Sequence, residues 1–273
     1  MTTTSASTAP ATASTTATVF PFLRYRDARA AIAWLTAALG FTEKAIHDAP
    51  DGSVGHAELR FGDGLVMLGS ANDDAFGIRP PRELGGATTA CSLVVTDLDA
   101  HHALACAAGA AIVQPLANTT YGARGYTCRD PEGNLWAVST YAPAGGAGVN
   151  LDITYDDGRA AIAWLEKAFG MIPSLVVPGP GDLVAHAELR CGDGLVMLAS
   201  YQDNAIGLAT ARRLGGTNGG AYVVVADPDA HAARARAAGA TIVFDLKDTD
   251  YGSREYACRD LEGNLWSFGT YQP

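Results

Sequence analysis

No run of basic residues in this chain is longer than the Arg212-Arg213 pair, and Asp and Glu outnumber Lys and Arg by 29 to 19. The formal net charge of −10 argues against a surface built to hold a phosphate backbone or an anionic bilayer. Cysteine is sparse. Cys91, Cys106, Cys128, Cys191 and Cys258 are scattered, odd in number and outside any CxxC or CxxH spacing. That pattern speaks against both a disulfide framework and a structural zinc site. No apolar run is long enough to span a bilayer. The Thr/Ser/Ala-rich stretch Met1–Thr18 lacks the basic and apolar regions of a signal peptide, so residues 1–18 are expected to be a disordered tail on a cytoplasmic protein. Also missing are a Ser/His/Asp order, a phosphate loop and a nucleotide fingerprint. What remains is a chain of 273 residues, 48% of them hydrophobic, with room for about two domains. Its charge suits a small organic or cationic ligand, and neither nucleic acid nor membrane.

What is present is a repeat. RAAIAWL at Arg29–Leu35 recurs at Arg159–Leu165, and HAELR at His56–Arg60 recurs at His186–Arg190. GDGLVML at Gly62–Leu68 recurs at Gly192–Leu198, and EGNLW at Glu132–Trp136 recurs at Glu262–Trp266. The offset is 130 residues each time, with no gap between Val19 and Tyr141. The segment APAGGAG, Ala142–Gly148, separates the copies. A first domain is therefore expected over 19–142, a linker over 143–148 and a second domain over 149–273.

Each copy divides again into two similar halves. A β-like run Val19–Tyr25 leads to Asp27, a good N-cap, then to Ile32, Leu35 and Leu39 at helical spacing, with Gly40 as the stop. A strand around Phe41–Ile46 follows, then Val54–Phe61 and Leu65–Ser70 joined by a Gly-Asp-Gly hairpin signal. The second half repeats this order. Its pieces are a strand Ala90–Thr96, a helix from about Asp99 to Ala108 stopped by Gly109, and strands near Ala111–Pro115, Gly125–Arg129 and Leu135–Tyr141. The pattern is βαβββ four times over.

The segment YGARGYTCRDPEGNLWAVSTY (Tyr121–Tyr141) and its partner YGSREYACRDLEGNLWSFGTY (Tyr251–Tyr271) resemble the closing hairpin of the glyoxalase/bleomycin-resistance/extradiol dioxygenase (vicinal oxygen chelate) superfamily. The resemblance covers nearly everything after Thr18. It implies an α+β fold in which four βαβββ modules pair into two half-open β-barrel-like domains, with the ligand in the cleft between modules. For members that act as enzymes it also implies a divalent metal held by His, Gln or Glu on the first and last strand of each module. Those positions fall here at Phe20, about Met67, Cys91 and Ala137, and at Asn150, about Met197, Ala221 and Ser267. None is a His or a carboxylate. A lone Cys91, or Asn150 with Asp152, cannot make a three- or four-ligand site. Transfer of metal-dependent glyoxalase, epimerase or dioxygenase chemistry is weakened accordingly.

Other residues are candidates for the cleft wall. Strand parity puts His56, Glu58 and Arg60 on one face of their strand, opposite Ala57, Leu59 and Phe61, and His186, Glu188 and Arg190 repeat the set. A same-face His-x-Glu pair can anchor a ligand, hold a metal, or be a neutralised polar sheet face. Tyr121, Arg124 and Tyr126, echoed by Tyr251, Arg254 and Tyr256, suit stacking on a flat or cationic ligand, or packing at a barrel rim. Tyr141 and Tyr271 alternate in face with Trp136 and Trp266, which puts the tyrosines toward the cleft and the tryptophans in the core. His101, His102 and His231 fall early in helices and are expected at the surface. The copies diverge where a cleft should be. Phe20, Phe22, Arg24 and Cys91 become Asn150, Asp152, Thr154 and Ala221, which predicts two non-equivalent pockets.

The leading expectation is metal-independent sequestration of a small, partly aromatic molecule, as in bleomycin-resistance-type relatives, with no cofactor. The ligand contacts would come from the residues just named and from Phe22 and Arg24. The alternative is a metal-dependent lyase, isomerase or dioxygenase whose divalent ion is held by His56, Glu58, His186 and Glu188. The fused second copy is expected to supply the partner that other relatives recruit. A monomer with internal pseudo-twofold symmetry follows, with a homodimer as the alternative.

Overall fold

The computed structural model describes residues 19–119, 122–144, 146 and 148–273. The tail expected over 1–18, Tyr121 and parts of the expected linker lie outside the described residues. The first module runs β1 (Val19–Tyr25), α1 (Ala28–Leu39), β2 (Thr42–Asp48), β3 (Val54–Phe61), β4 (Gly64–Ser70), and a short helix α2 (Pro81–Leu84) leads out of it. The second runs β5 (Thr89–Val94), α3 (Leu98–Ala107), β6 (Ala111–Asn118), β7 (Arg124–Arg129), β8 (Leu135–Ser139). The third is β9 (Val149–Tyr155), α4 (Gly158–Phe169), β10 (Ile172–Pro178), β11 (Val184–Cys191), β12 (Gly194–Ser200), followed by the short α5 (Ala211–Leu214). The fourth is β13 (Gly219–Val224), α6 (Pro228–Ala237), β14 (Thr241–Asp248), β15 (Arg254–Arg259), β16 (Leu265–Gly269).

The local signals act as their chemistry requires. The Asp27 carboxylate accepts from the backbone N–H of Ala30 and starts α1, while Gly40 ends it in the left-handed region at φ 77°. Asp97, Asp157 and Asp227 cap α3, α4 and α6 in the same way. β6 runs past Pro115 to Asn118, beyond the expected end. It can do so because it is an edge strand, where a missing N–H leaves no ladder bond broken, and its register shifts across the proline, between Gln114 and Ala117.

The modules do not pair as neighbours in sequence. One eight-stranded sheet has the order β14-β15-β16-β13-β1-β4-β3-β2 and the other β10-β11-β12-β9-β5-β8-β7-β6. Module one thus shares a sheet with module four, through antiparallel β1 and β13, and module two with module three, through β5 and β9. The cores follow the other division. Leu35, Phe41, Tyr126 and Trp136 pack in a cluster drawn from the first repeat apart from Val149, and Leu165, Phe169, Tyr256 and Trp266 in one drawn from the second apart from Val19. Each repeat therefore makes its own helix-covered core, while each sheet, and the cleft it curls around, takes half from either repeat.

Candidate functional site: two unlike clefts

The first cleft lies on the concave face of the sheet joining modules one and four. On β1 the parity is sharp: Leu23 and Tyr25 go to the core, while Phe22 and Arg24 line the cleft. Met67 on β4 sits beside Phe22 in the parallel ladder, and Tyr222 enters from β13. Phe76, from the loop after β4, stacks obliquely on Phe22 with centroids 6.0 Å apart. Tyr251 and Tyr271 meet edge-on at 5.9 Å and close the far wall. The cavity is about 800 Å³. Gly220 leaves room for this floor, since a Cβ there would come within 2.9 Å of the Phe22 ring.

Glu58 is fully buried under this wall. Its carboxylate accepts from Lys44 Nζ at 2.6 Å and from the Tyr271 hydroxyl at 2.5 Å, and His56 Nε2 lies 3.2 Å away. Burial pushes its pKa up, but the hydrogen bonds from His56, Lys44 and Tyr271 outweigh it and hold the group at about 2. An unfolded glutamate titrates near ~4.3. The depressed folded value contributes stability that is complete above that point and disappears as pH falls through about 2. The expected contribution is about 2–3 kcal/mol. Urea titrations of the wild type and Glu58→Gln should therefore converge between pH 5 and 2.5. Parallel curves over that range would refute the assignment.

The second cleft, about 910 Å³, lies between modules two and three and is made differently. Asp152 stands where the first cleft has Phe22, Thr154 where it has Arg24, and Ser92 where it has Tyr222. Ser92 donates to Asp152, whose pKa is pushed up to about 6 by burial against the opposing pull of Ser92 and His186. Tyr141 donates to the buried Glu188, and His186 Nε2 lies 3.4 Å from the same oxygen. Ser174 replaces Lys44, and its hydroxyl bonds the Glu188 backbone carbonyl at 3.1 Å.

Of the sequence-derived candidates, Phe22, Arg24, His56, Tyr251 and Tyr271 come together around the first cleft. Tyr141 and His186 line the second, and Glu58 and Glu188 lie just beneath the two walls. Arg124 and Arg254 do not join them. Arg124 is exposed and Arg254 half-buried, and they reach over the helix starts to Asp99 at 2.7 Å and to Asp229 at 2.6 Å. Tyr126 and Tyr256 turn their phenols into the cores, 2.7 Å from Nδ1 of His101 and of His231. These four side chains alternate with the cleft-facing residues of β7 and β15, although Tyr126 still borders the second cleft, and Tyr121 lies outside the described residues. His101 and His231 are likewise not surface residues. Nε2 of each lies against a backbone carbonyl, Leu39 or Phe169, so Nδ1 accepts from the tyrosine, and burial lowers both pKa values, that of His231 to about 4. Cys91 and Ala221 also face the cores. The residues that meet the clefts from β5 and β13 are their neighbours Ser92 and Tyr222, a one-residue slip that reverses the face. His47, which carried no expectation, stacks on His56 at 6.2 Å and lines the first cleft. Phe76 sits on a loop with no periodicity to reveal it.

The residues do not suit a metal. Among the described residues no three His, Cys, Asp or Glu side chains gather closely enough to hold an ion. The His56–Glu58 pair is further compromised by the Lys44 ammonium on the carboxylate, which occupies the place of a cation. Among the described residues no helix is long and apolar enough to cross a membrane.

These two clefts, formed by paired βαβββ modules, belong to a known architecture. The chain is a member of the Glyoxalase/Bleomycin resistance protein/Dioxygenase superfamily, which it matches over residues 15–138 and 149–268. It is 37% identical to the uncharacterized protein Rv0887c of Mycobacterium tuberculosis over 119 residues, 43% of this chain and 70% of that one. Glyoxalase I from Zea mays superposes with a TM-score of 0.72 at 16% identity, covering 93% of this chain and 92% of that one. A putative dioxygenase from Bacillus subtilis gives 0.60 at 12% identity, covering 94% and 86%. At such identities the two structures speak for the fold alone.

Proposed function

We propose that the protein binds and sequesters a small, flat aromatic molecule in its first cleft, without using a metal. The observation that carries this reading is the aromatic lining of an 800 Å³ cavity by Phe22, Phe76, Tyr222, Tyr251 and Tyr271. Rings arranged at tilted and edge-on angles offer faces and edges to a planar guest, and a cavity of this size can enclose a drug-sized one. Arg24 lies at one end, held to Asp74 at 3.3 Å, where it can orient a polar substituent. Both halves of each cleft come from one chain, so a monomer suffices for binding.

The test is a thermal-shift screen of the full chain against planar aromatic compounds, with and without EDTA. Binding to the native state raises the melting temperature. Phe22→Ala and Tyr271→Ala are each expected to weaken the best hit about tenfold or more. Failure of every compound to shift the melting temperature would end this reading. So would elemental analysis finding about one divalent ion per chain on which the shift depends, an outcome favouring metal-assisted chemistry at His56 and Glu58.

A further inference from the structure

We propose that the second cleft is a separate binding site for a small molecule bearing a protonated amine, with the Asp152 carboxylate as its counter-ion. The inference does not depend on what the first cleft binds. It starts from how the two cavities handle charge. In the first, Glu58 has Lys44 and Arg24 has Asp74, while the buried Glu255 is held by the Tyr251 hydroxyl at 2.8 Å. In the second, both cations are gone, replaced by Ser174 and Thr154, and a carboxylate has been added at position 152.

Asp152 lies in the middle of β9, opposite Met197 on β12 and Ala90 on β5, so it rises from the floor of the cavity and not from its mouth. Its hydrogen-bond partner is the Ser92 hydroxyl, which fixes one oxygen and neutralises nothing. Among the described residues no Lys or Arg pairs with it, and none lines the 910 Å³ cavity. A carboxylate held by one hydroxyl at the base of such a cavity is under-compensated. A bound cation would stabilise it far more than it would stabilise an exposed surface carboxylate. Burial already holds the proton on this group more firmly than usual, outweighing the opposing pull of Ser92 and His186.

The surroundings define the rest of the guest. Leu175 and Val177 on β10, with Ile206 and Leu208 from the loop after β12, give an apolar wall above the acid. Tyr141, fixed by its bond to Glu188, stands edge-on to His186 with centroids 6.3 Å apart. A compact ammonium on an apolar body matches that arrangement: the charge goes to Asp152 and the body lies against the aliphatic wall. An anionic guest would meet Asp152 with no cation to offset it.

The experiment is a fluorescence titration of the full chain with dansylcadaverine, a dye ending in a primary ammonium, against neutral dansylamide. Dansylcadaverine is expected to bind at least about tenfold more tightly than dansylamide. Asp152→Asn, which keeps shape and can keep the Ser92 contact, should remove that preference. Asp152→Glu, which keeps the charge, should retain most of it. Saturable binding absent from the wild type, equal affinity for the two dyes, or an Asp152→Asn protein of unchanged melting temperature that still prefers the amine would each overturn the proposal. The comparison of dyes on the wild-type protein stands even if a variant does not fold. Glu255→Gln, which removes the buried carboxylate of the first cleft, should keep the preference for the amine, and its loss in that variant would place the amine in the first cleft and overturn the proposal.

Discussion

Replacing Asp130 with Ala is expected to destabilise the protein by about 3–5 kcal/mol, the range for breaking a buried charged network by removing one partner. Asp130 is the hub of the closing hairpin. One oxygen accepts from the Tyr25 hydroxyl at 2.8 Å, from Asn134 Nδ2 at 3.0 Å and from Trp136 Nε1 at 3.3 Å. The other accepts the backbone N–H of Glu132 at 3.0 Å and of Asn134 at 2.9 Å. Tyr25 and Trp136 are completely buried, so neither donor has water to turn to when the carboxylate is gone. Burial raises the pKa of Asp130 while the bonds from Tyr25, Trp136 and the side chain and backbone of Asn134 lower it, with burial ahead. Asp130→Asn should fall between wild type and Ala, because one oxygen becomes a donor facing donors. Chemical denaturation followed by tryptophan fluorescence reads both. A loss under about 1 kcal/mol for Ala would show that the hairpin stands without its hub.

Asn218→Ala should lose about 3–4 kcal/mol, from two buried backbone donors left without an acceptor. Asn218 lies where β13 begins, beside the start of β5 from the other repeat. Its Oδ1 accepts from the backbone N–H of Thr88 at 2.7 Å and of Thr89 at 3.0 Å, and its Nδ2 donates to Asn134 at 3.1 Å. The duplicate of this position is Thr88, which has no amide to offer in return. That asymmetry accounts for a detail on the other side of the pseudo-axis. Asn264, the duplicate of Asn134, has its Oδ1 buried without a hydrogen-bond partner, the one such side-chain atom among the described residues. Thr88→Ala, by contrast, leaves those two donors satisfied and removes only the hydroxyl that accepts from the Asn218 backbone N–H at 3.3 Å, so it should cost less, about 1–2 kcal/mol. Equal losses for the two variants would contradict the assignment of Asn218 as the acceptor that joins the repeats.

Elements whose signals are local were legible in the sequence. Asp27 and Gly40 mark α1 because a cap acts within one turn, and β3 is found at Val54–Phe61 because its alternation spans the whole strand. Which strands share a sheet has no such local signature: β1 meets β13 because of where two edges come together in space. Parity succeeded where apolar and polar residues alternate, as at His56 and Ala57. Residue type alone misled on β7, where Arg124 and Tyr126 look like cleft residues and instead reach Asp99 and His101. Amphipathic side chains of that kind can satisfy either face, since a phenol needs only one partner and a guanidinium can extend to solvent. Lys44 was missed because its partner Glu58 lies on the adjacent strand, at a spacing no motif records. Asp152 is visible in the sequence as a diverged wall residue beside Asn150, with nothing local to show what it pairs with. Its chemistry is that of an isolated acid, which becomes apparent once Thr154 and Ser174 are seen to lie in the same wall region without a charge.

The crossing of repeats between sheets changes what a substitution can reach. In a symmetric pair of single-copy chains joined this way, every wall position would occur twice, once in each cleft, and any change to it would alter both. Here positions 22 and 152 occupy corresponding places in different cavities yet are encoded separately. Phe can be tuned in one while Asp is tuned in the other. The stabilising cores stay within each repeat, insulated from those changes apart from the Val19 and Val149 contacts. Joining the copies end to end thus gives the protein two independently adjustable cleft walls on a shared frame. The wall of one cleft can change without redesigning the other.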